Sequence, residues 1–370
     1  MGSLAWFIFI TFIVIGVQAY IYGKWGLTGI TYKRSFSERA VFAGEKIEMV
    51  DELVNEKILP LPWVRLESRI SHHLEFIDED LQGRGDLHRT LFSLLPYQKI
   101  RRRQPLICLK RGHYQFDRVE ISTGDPFGYG EDFIRKPSPA EVIVYPSLTA
   151  IEDIPLPSHN WLGEVVVRRW IMEDPFLTAG VRDYTAGDSL NTINWKATAR
   201  TNQLQVTKKD FSADHYLMIY VNFNQTEDVW LPVVDEDLLE KALSYAASIA
   251  DFSISKGVST GFGCNTYIGR KSTNTIRIEP ENSQQQLMYI LETMAKLNLD
   301  ANKSISIFLE EDIENEVSGK DILIITSTVS NKMKVQIETL KSLGNAVEII
   351  TMESETTKNY QQKEEANEAI

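Results

Sequence analysis

The residues best able to do chemistry stand together in one stretch, Val181 to Arg200, VRDYTAGDSLNTINWKATAR. Arg182, Asp188, Lys196 and Arg200 supply charge, Tyr184 and Trp195 supply aromatic surface, and Ser189 directly follows Asp188. Three uses fit these types. A serine becomes a nucleophile when a base takes its proton, usually a histidine oriented by a carboxylate. Arg beside Trp is also the pairing that most often dominates protein interfaces. The plainest use is structural: Tyr184, Ile193 and Trp195 would pack, while Arg182 and Asp188 form an internal ion pair that fixes a loop.

The nucleophile reading lacks its partners. The six histidines are His72, His73, His88, His113, His159 and His215. Gly187-Asp188-Ser189-Leu190 resembles the string of the GDSL esterases, which lies near the start of their domain and is completed by a later Asp-x-x-His. No histidine follows His215 here, and Asp-x-x-His is absent. A serine hydrolase using Ser189 is therefore kept as an alternative, and no catalytic residue is assigned. The chain also has no Walker-type glycine loop and no His-Glu-x-x-His. Glu310, Glu311, Asp312 and Glu314 read as a solvated helix face.

Cys108 and Cys264 lie far apart among apolar residues, as core thiols do, so neither a disulfide nor a zinc site is expected. No cofactor or metal is implied. A formal charge of -12 argues against nucleic acid as a partner. Arg101-Arg102-Arg103 and Arg168-Arg169 read as solvated faces.

The elements that must position the stretch divide the chain into four. Residues 1–28 form a membrane anchor. Leu4 to Tyr22 is almost wholly apolar, about 28 Å as a helix, with Trp6 at one end and Tyr20, Tyr22 and Trp25 at the other. A cleaved signal peptide would need a basic start, and Met1-Gly2-Ser3 has none. Lys24, Lys33, Arg34 and Arg39 follow the span, which puts the soluble part in the cytoplasm by the positive-inside rule. Residues 29–145 alternate as short strands between turns, a β-sandwich-like domain. Asp125 to Gly130 reads as a turn with aromatic plugs. Prolines 137, 139, 146, 155 and 157 mark a linker. Residues 146–352 alternate apolar strands (215–223, 258–264, 321–326, 347–351) with helical periods (237–255, 284–297, 332–343), the pattern of a parallel α/β sheet covered on both faces. Residues 353–370 are polar and are expected to be disordered.

Read whole, Arg182, Tyr184, Gly187, Asp188, Ile193, Trp195, Lys196, Ala199 and Arg200 resemble the signature of the DUF58 family, roughly R-x-Y-x-x-G-D-x-x-x-x-I-x-W-x-x-x-A-R. The resemblance covers most of the chain, including Asp125-Pro126-Phe127-Gly128 and the order span, β-rich segment, signature, α/β region. It implies a von Willebrand factor A-like domain and a non-enzymatic, membrane-anchored binding or scaffold protein of a bacterium. It also implies partners: a MoxR-type AAA+ ATPase and a transglutaminase-like membrane protein. On this resemblance Arg182, Tyr184, Asp188, Trp195, Lys196 and Arg200 are the candidate binding residues. There are departures. Many members have two spans and this chain has one. Asn191 and Asn194 stand where Arg and Asp are frequent. The metal motif Asp-x-Ser-x-Ser is replaced by Asn222-Phe223-Asn224-Gln225-Thr226, whose first residue offers a neutral carbonyl where a divalent cation favours a carboxylate. A cation-dependent adhesion module is thus a further alternative that the sequence disfavours.

Overall fold

The structure is a computed structural model that describes residues 2–77, 87–128, 130–156, 173–185, 193–211, 216–225, 235–269 and 275–353. It divides into two units, Met1–Ser147 and Leu148–Ile370.

The first unit begins with helix α1, Gly2–Trp25. Within it Trp6–Trp25 is long and apolar enough to cross a membrane, and that window is not buried inside the protein. Beyond its end, the Lys57 ammonium donates to the carbonyls of Trp25, Gly26 and Thr28. These carbonyls stand at and just beyond a helix C-terminus, where a cation suits the dipole. Burial, with the nearby Lys136 ammonium adding, lowers Lys57 to about 8.

Among the described residues nine strands follow: β1 (Ile30–Phe36), β2 (Ala40–Phe42), β3 (Lys46–Asn55), β4 (Leu61–Arg69), β5 (Leu74–Phe76), β6 (Leu87–Leu94), β7 (Lys99–Cys108), β8 (Gly112–Gly124) and β9 (Glu131–Tyr145). They form two sheets, β1-β3-β7-β5 and β2-β9-β8-β4-β6. Strict alternation drives the pairing. In β6, His88, Thr90, Phe92 and Leu94 are buried while their neighbours face out. Both cores draw from both sheets. In one, Met49 and Leu106 meet Phe116 and Val142; in the other, Ile30 and Leu53 meet Val64 and Ile121. This is a sandwich, with one departure from the antiparallel expectation: β2 runs parallel to β9.

Two sequence readings change here. Arg34, counted among the basic residues flanking the span, is buried and ion-paired to Asp51 at 2.8 Å, with the Tyr32 hydroxyl 2.6 Å from the same carboxylate. It contributes no free juxtamembrane charge. The Asp125 turn is a turn, but Phe127 does not plug it, being 62% exposed. The closure is polar: the Asp125 carboxylate accepts from Phe127 N at 2.8 Å and Gly130 N at 2.7 Å.

The second unit starts with an antiparallel pair, β10 (Glu173–Asp183) and β11 (Gln205–Phe211), with the short helix α2 (Trp195–Thr201) between them in sequence. A mixed α/β region follows: β12 (Tyr216–Val221), α3 (Glu236–Ser255), β13 (Ser259–Cys264), β14 (Ile276–Glu281), α4 (Gln284–Lys296), α5 (Ile305–Glu314), β15 (Lys320–Thr326), α6 (Asn331–Ser342) and β16 (Ala346–Thr351). The order is β14-β13-β12-β15-β16. Leu217 to Val221 are all buried, as a strand covered on both faces requires. Helix starts carry side-chain caps from Asp235, Ser283, Ser304 and Ser330. Gly344, at φ +92°, follows the end of α6 as its sequence position suggests.

Two expectations about this sheet fail. It is not wholly parallel, because β14 joins the β13 edge antiparallel. Its sequence, IRIEPE, has too few apolar residues to read as a strand, and edge position tolerates that and the proline. The acidic run on α5 is not a uniformly solvated face either. Asp312 is buried, ion-paired to Arg277 of β14 at 3.0 Å, while Arg277 also reaches Glu311 at 2.7 Å and the Phe308 carbonyl at 2.6 Å. The polar tail after Glu353 lies outside the described residues.

Candidate functional site

The signature is held by the β10–β11 pair. Arg182 faces Val206 and Asp183 faces Gln205 across the ladder, and Tyr184 N donates to Leu204 O at 2.9 Å. The chain returns to this ladder at Ile193, which bridges Val206, and at Asn194, whose N–H donates to Gln205 O at 2.8 Å. Asn194 then starts α2, its side-chain oxygen accepting from Ala197 N at 3.0 Å. Such a cap is what lets a seven-residue helix form. Asn202 ends it in the left-handed conformation, φ +55°. Thr198 ties the helix back by accepting from Gln205 N at 3.0 Å.

These anchors orient α2. Asn194, Ala197 and Thr198 are half-buried toward the ladder. Trp195, Lys196, Ala199 and Arg200 are exposed, a spacing of i, i+1, i+4 and i+5 that defines the outer face. Trp195 is 67% exposed, so the reading in which it packs is corrected: the inner positions of α2 are short, and the ring projects from the opposite side. Val181 and Leu204 are also exposed. Tyr184 and Ile193 are half-buried, in keeping with a packing role.

Arg182 donates to the Asp183 carbonyl at 3.2 Å and to the Thr185 hydroxyl at 3.4 Å. Its expected partner Asp188 lies outside the described residues, as do Gly187 and Ser189. The structure thus brings Trp195, Lys196 and Arg200 onto one face, with Arg182 and Tyr184 on the supporting ladder.

A second polar constellation stands at the carboxyl ends of the parallel strands, and the sequence reading touched only part of it. Asn222, Asn265 and Thr326 each sit where an apolar strand ends. Asn222 Nδ2 donates to Thr326 Oγ1 at 2.9 Å, and its oxygen accepts from Asn224 N at 2.9 Å and Asn265 Nδ2 at 3.2 Å. Asn265 Oδ1 accepts from Phe223 N at 2.8 Å. The Asn222 side-chain carbonyl, which the sequence comparison set against a metal-binding aspartate, is therefore already occupied by two donors. Among the described residues no three His, Cys, Asp or Glu side chains are placed to hold a metal. Asn265 was missed because a lone asparagine after a strand has no distinguishing spacing, and Asn224 was read only as part of the altered metal motif. Their shared signal is one polar residue directly after each apolar run.

Comparison with known proteins agrees with the signature. The chain is 22% identical over 333 residues to the uncharacterized protein YeaD of Bacillus subtilis, covering 90% of this chain and 79% of that one. Among solved structures, similarity extends to the CARDB domain of the PF1109 protein of Pyrococcus furiosus, 13% identical over 31% of this chain and 93% of that one, with a TM-score of 0.21. It extends also to a non-cellulosomal cohesin of Archaeoglobus fulgidus, 10% identical over 31% of this chain and 91% of that one, with a TM-score of 0.22. At such scores neither carries an argument. Residues 180–354, from the end of β10 to just past β16, match the family described as protein of unknown function DUF58, a similarity that covers a little under half of the chain.

Proposed function

We propose that this is a non-enzymatic, membrane-anchored binding protein that docks a MoxR-type AAA+ ATPase through the outer face of α2. The observation that carries the reading is Trp195, a large aromatic left 67% exposed on a helix capped at both ends, with Lys196 and Arg200 beside it. Fixing a tryptophan on binding freezes few side-chain torsions for a large contact area, and Trp and Arg supply most of the energy at interface centres. Lys196 and Arg200 suit an acidic partner surface. The α/β region is read as von Willebrand factor A-like, and α1 as a single membrane span with both soluble units in the cytoplasm. A transglutaminase-like membrane protein is the second partner of this assembly.

The test is affinity purification of the full chain from detergent-solubilised bacterial membranes, comparing wild type with Trp195→Ala and with Lys196→Glu/Arg200→Glu. Recovery of an AAA+ ATPase with wild type and its loss with both folded variants supports docking at α2. Retention by both variants excludes that face, and absence of any ATPase from the wild-type eluate defeats the reading. Protease protection in intact cells, showing the soluble units outside, would also sink it.

A further inference from the structure

The α/β region contains a cavity of about 430 Å³ at the carboxyl ends of β12 and β15. Its size falls within the roughly 300–1,000 Å³ of small-molecule sites. Its place is telling. From β12 the chain leaves to β13 on one side, while β15 and β16 lie on the other, so β12 and β15 flank the point where strand order reverses. Open α/β sheets bind their ligands there, because the diverging connections leave a crevice.

The polarity of the lining specifies the ligand. No described residue that lines the cavity is acidic, and the charged side chain among them is that of Lys332. Asn224 is 7% exposed. Its side-chain oxygen accepts from Ile305 N at 2.9 Å and Asn265 Nδ2 at 2.6 Å. The backbone donor fixes the orientation of the carboxamide, so its NH2 is left as the group without an acceptor among the described residues. Ser306 is likewise 7% exposed, and its hydroxyl has no partner among them. Both residues line the cavity, where an acceptor on a ligand would satisfy these two donors. A third contribution comes from α6, a twelve-residue helix whose first turn enters the lining. The backbone N–H of Asn331 and of Lys332 have no acceptor among the described residues, and they stand at the positive end of the helix dipole. Lys332 adds an ammonium, 3.3 Å from an exposed Glu310 carboxylate.

We infer that this cavity binds a compact oxyanion, a phosphate or carboxylate group carried by a small molecule, directly on Asn224, Ser306 and the α6 N-terminus. The binding region of this protein would then be liganded by a small anion at a place separate from α2. The volume exceeds that of a bare phosphate, so room remains for the rest of the ligand, and Ile307 and Thr328 also line it.

The test uses the full chain in maltoside micelles, with equilibrium dialysis of radiolabelled inorganic phosphate and, separately, of acetate. Saturable one-to-one binding of either probe, unchanged by EDTA, is the expected result. Which probe binds distinguishes a phosphate from a carboxylate ligand. Ser306→Ala removes a hydroxyl that bonds nothing among the described residues, so folding is retained while affinity falls about tenfold, the equivalent of 1.4 kcal/mol. Ser306→Asp, checked for an unchanged melting temperature, abolishes binding by like charge. Lys332→Ala, at an exposed position, weakens binding without touching the core. The inference is overturned by no saturable binding of either probe up to about 10 mM, beyond which affinity is too weak to matter. It is equally overturned by binding that needs a divalent cation, or by wild-type binding in all three variants.

Discussion

Replacing Arg277 with methionine would test how the second unit holds the helix that lines its cavity. Arg277 reaches from the edge strand β14 to α5. It is ion-paired with Asp312 at 3.0 Å and with Glu311 at 2.7 Å, bonded to the Phe308 carbonyl at 2.6 Å, and its guanidinium lies 3.9 Å from the centre of the Phe308 ring. Methionine keeps most of the volume and removes the charge. Asp312, 2% exposed, would be left as a buried carboxylate without its cation. Breaking a buried pair in this way costs about 3–5 kcal/mol. Arg277 itself retains some solvent access, its side chain being 21% exposed, so the low end applies, about 3 kcal/mol. For a unit of this size that is a fall in melting temperature of roughly 6–12 °C. The assay is differential scanning calorimetry of the full chain in micelles, with Lys341→Met, which breaks an exposed pair with Glu338, as the control. The deficit should shrink as pH falls. Burial already raises the Asp312 carboxyl above the usual carboxylate range, with Arg277 and Tyr220 opposing, and without Arg277 it rises further. Protonation then relieves the orphaned charge. Arg277→Met/Asp312→Leu should recover much of the loss. A deficit below about 1 kcal/mol, or a double variant less stable than the single one, would refute the orphaned-charge reasoning.

Other substitutions address separate contacts. Asn265→Ala removes the acceptor of Phe223 N–H and the donor to Asn222, Asn224 and the Lys303 carbonyl, for a loss of about 2–4 kcal/mol in chemical denaturation. Trp195→Ala, at an exposed side chain, should change the melting temperature by no more than about 2 °C, within the range of surface substitutions. Lys57→Met uncaps the carbonyls after α1, and amide exchange at residues 22–28 should quicken while the sandwich core stays protected. Although burial raises the Glu311 carboxyl, the hydrogen bonds from Lys303 and Arg277 hold it below its ordinary 4.5. Its contribution is therefore full above that value and lost as pH falls through the lowered one. Lys303→Met should flatten this acid limb of a stability-against-pH curve, and an unchanged limb would count against the assignment.

The sequence by itself determined whatever depends on local pattern. An uncharged apolar run of bilayer length dictates α1, because no soluble packing exposes so much hydrocarbon. Period-two alternation dictates strands such as β6. Apolar runs separated by helical periods dictate β12, α3, β15 and α6, to within a residue or two at most ends. Gly344 and the serine caps mark where helices stop and start because they satisfy groups the helix cannot. The signature was legible as a motif for the same reason, being twenty consecutive residues.

Tertiary structure decided what depends on partners distant in sequence. Arg34 and Asp312 look like any exposed charge until Asp51 and Arg277 meet them across a ladder and across a strand–helix contact. Trp195 looks like a core residue until Asn194 and Thr198 turn the opposite face of α2 toward β11. The edge strand β14 has no pattern of its own and exists because β13 offers it hydrogen bonds. The cavity is the extreme case. Asn224, Ser306, Asn331 and Lys332 span more than a hundred residues, and nothing in their spacing relates them. They converge because parallel strands end on the same side of a sheet and because the connections from β12 and β15 diverge there. That geometry belongs to the topology, and no local run of residues encodes it.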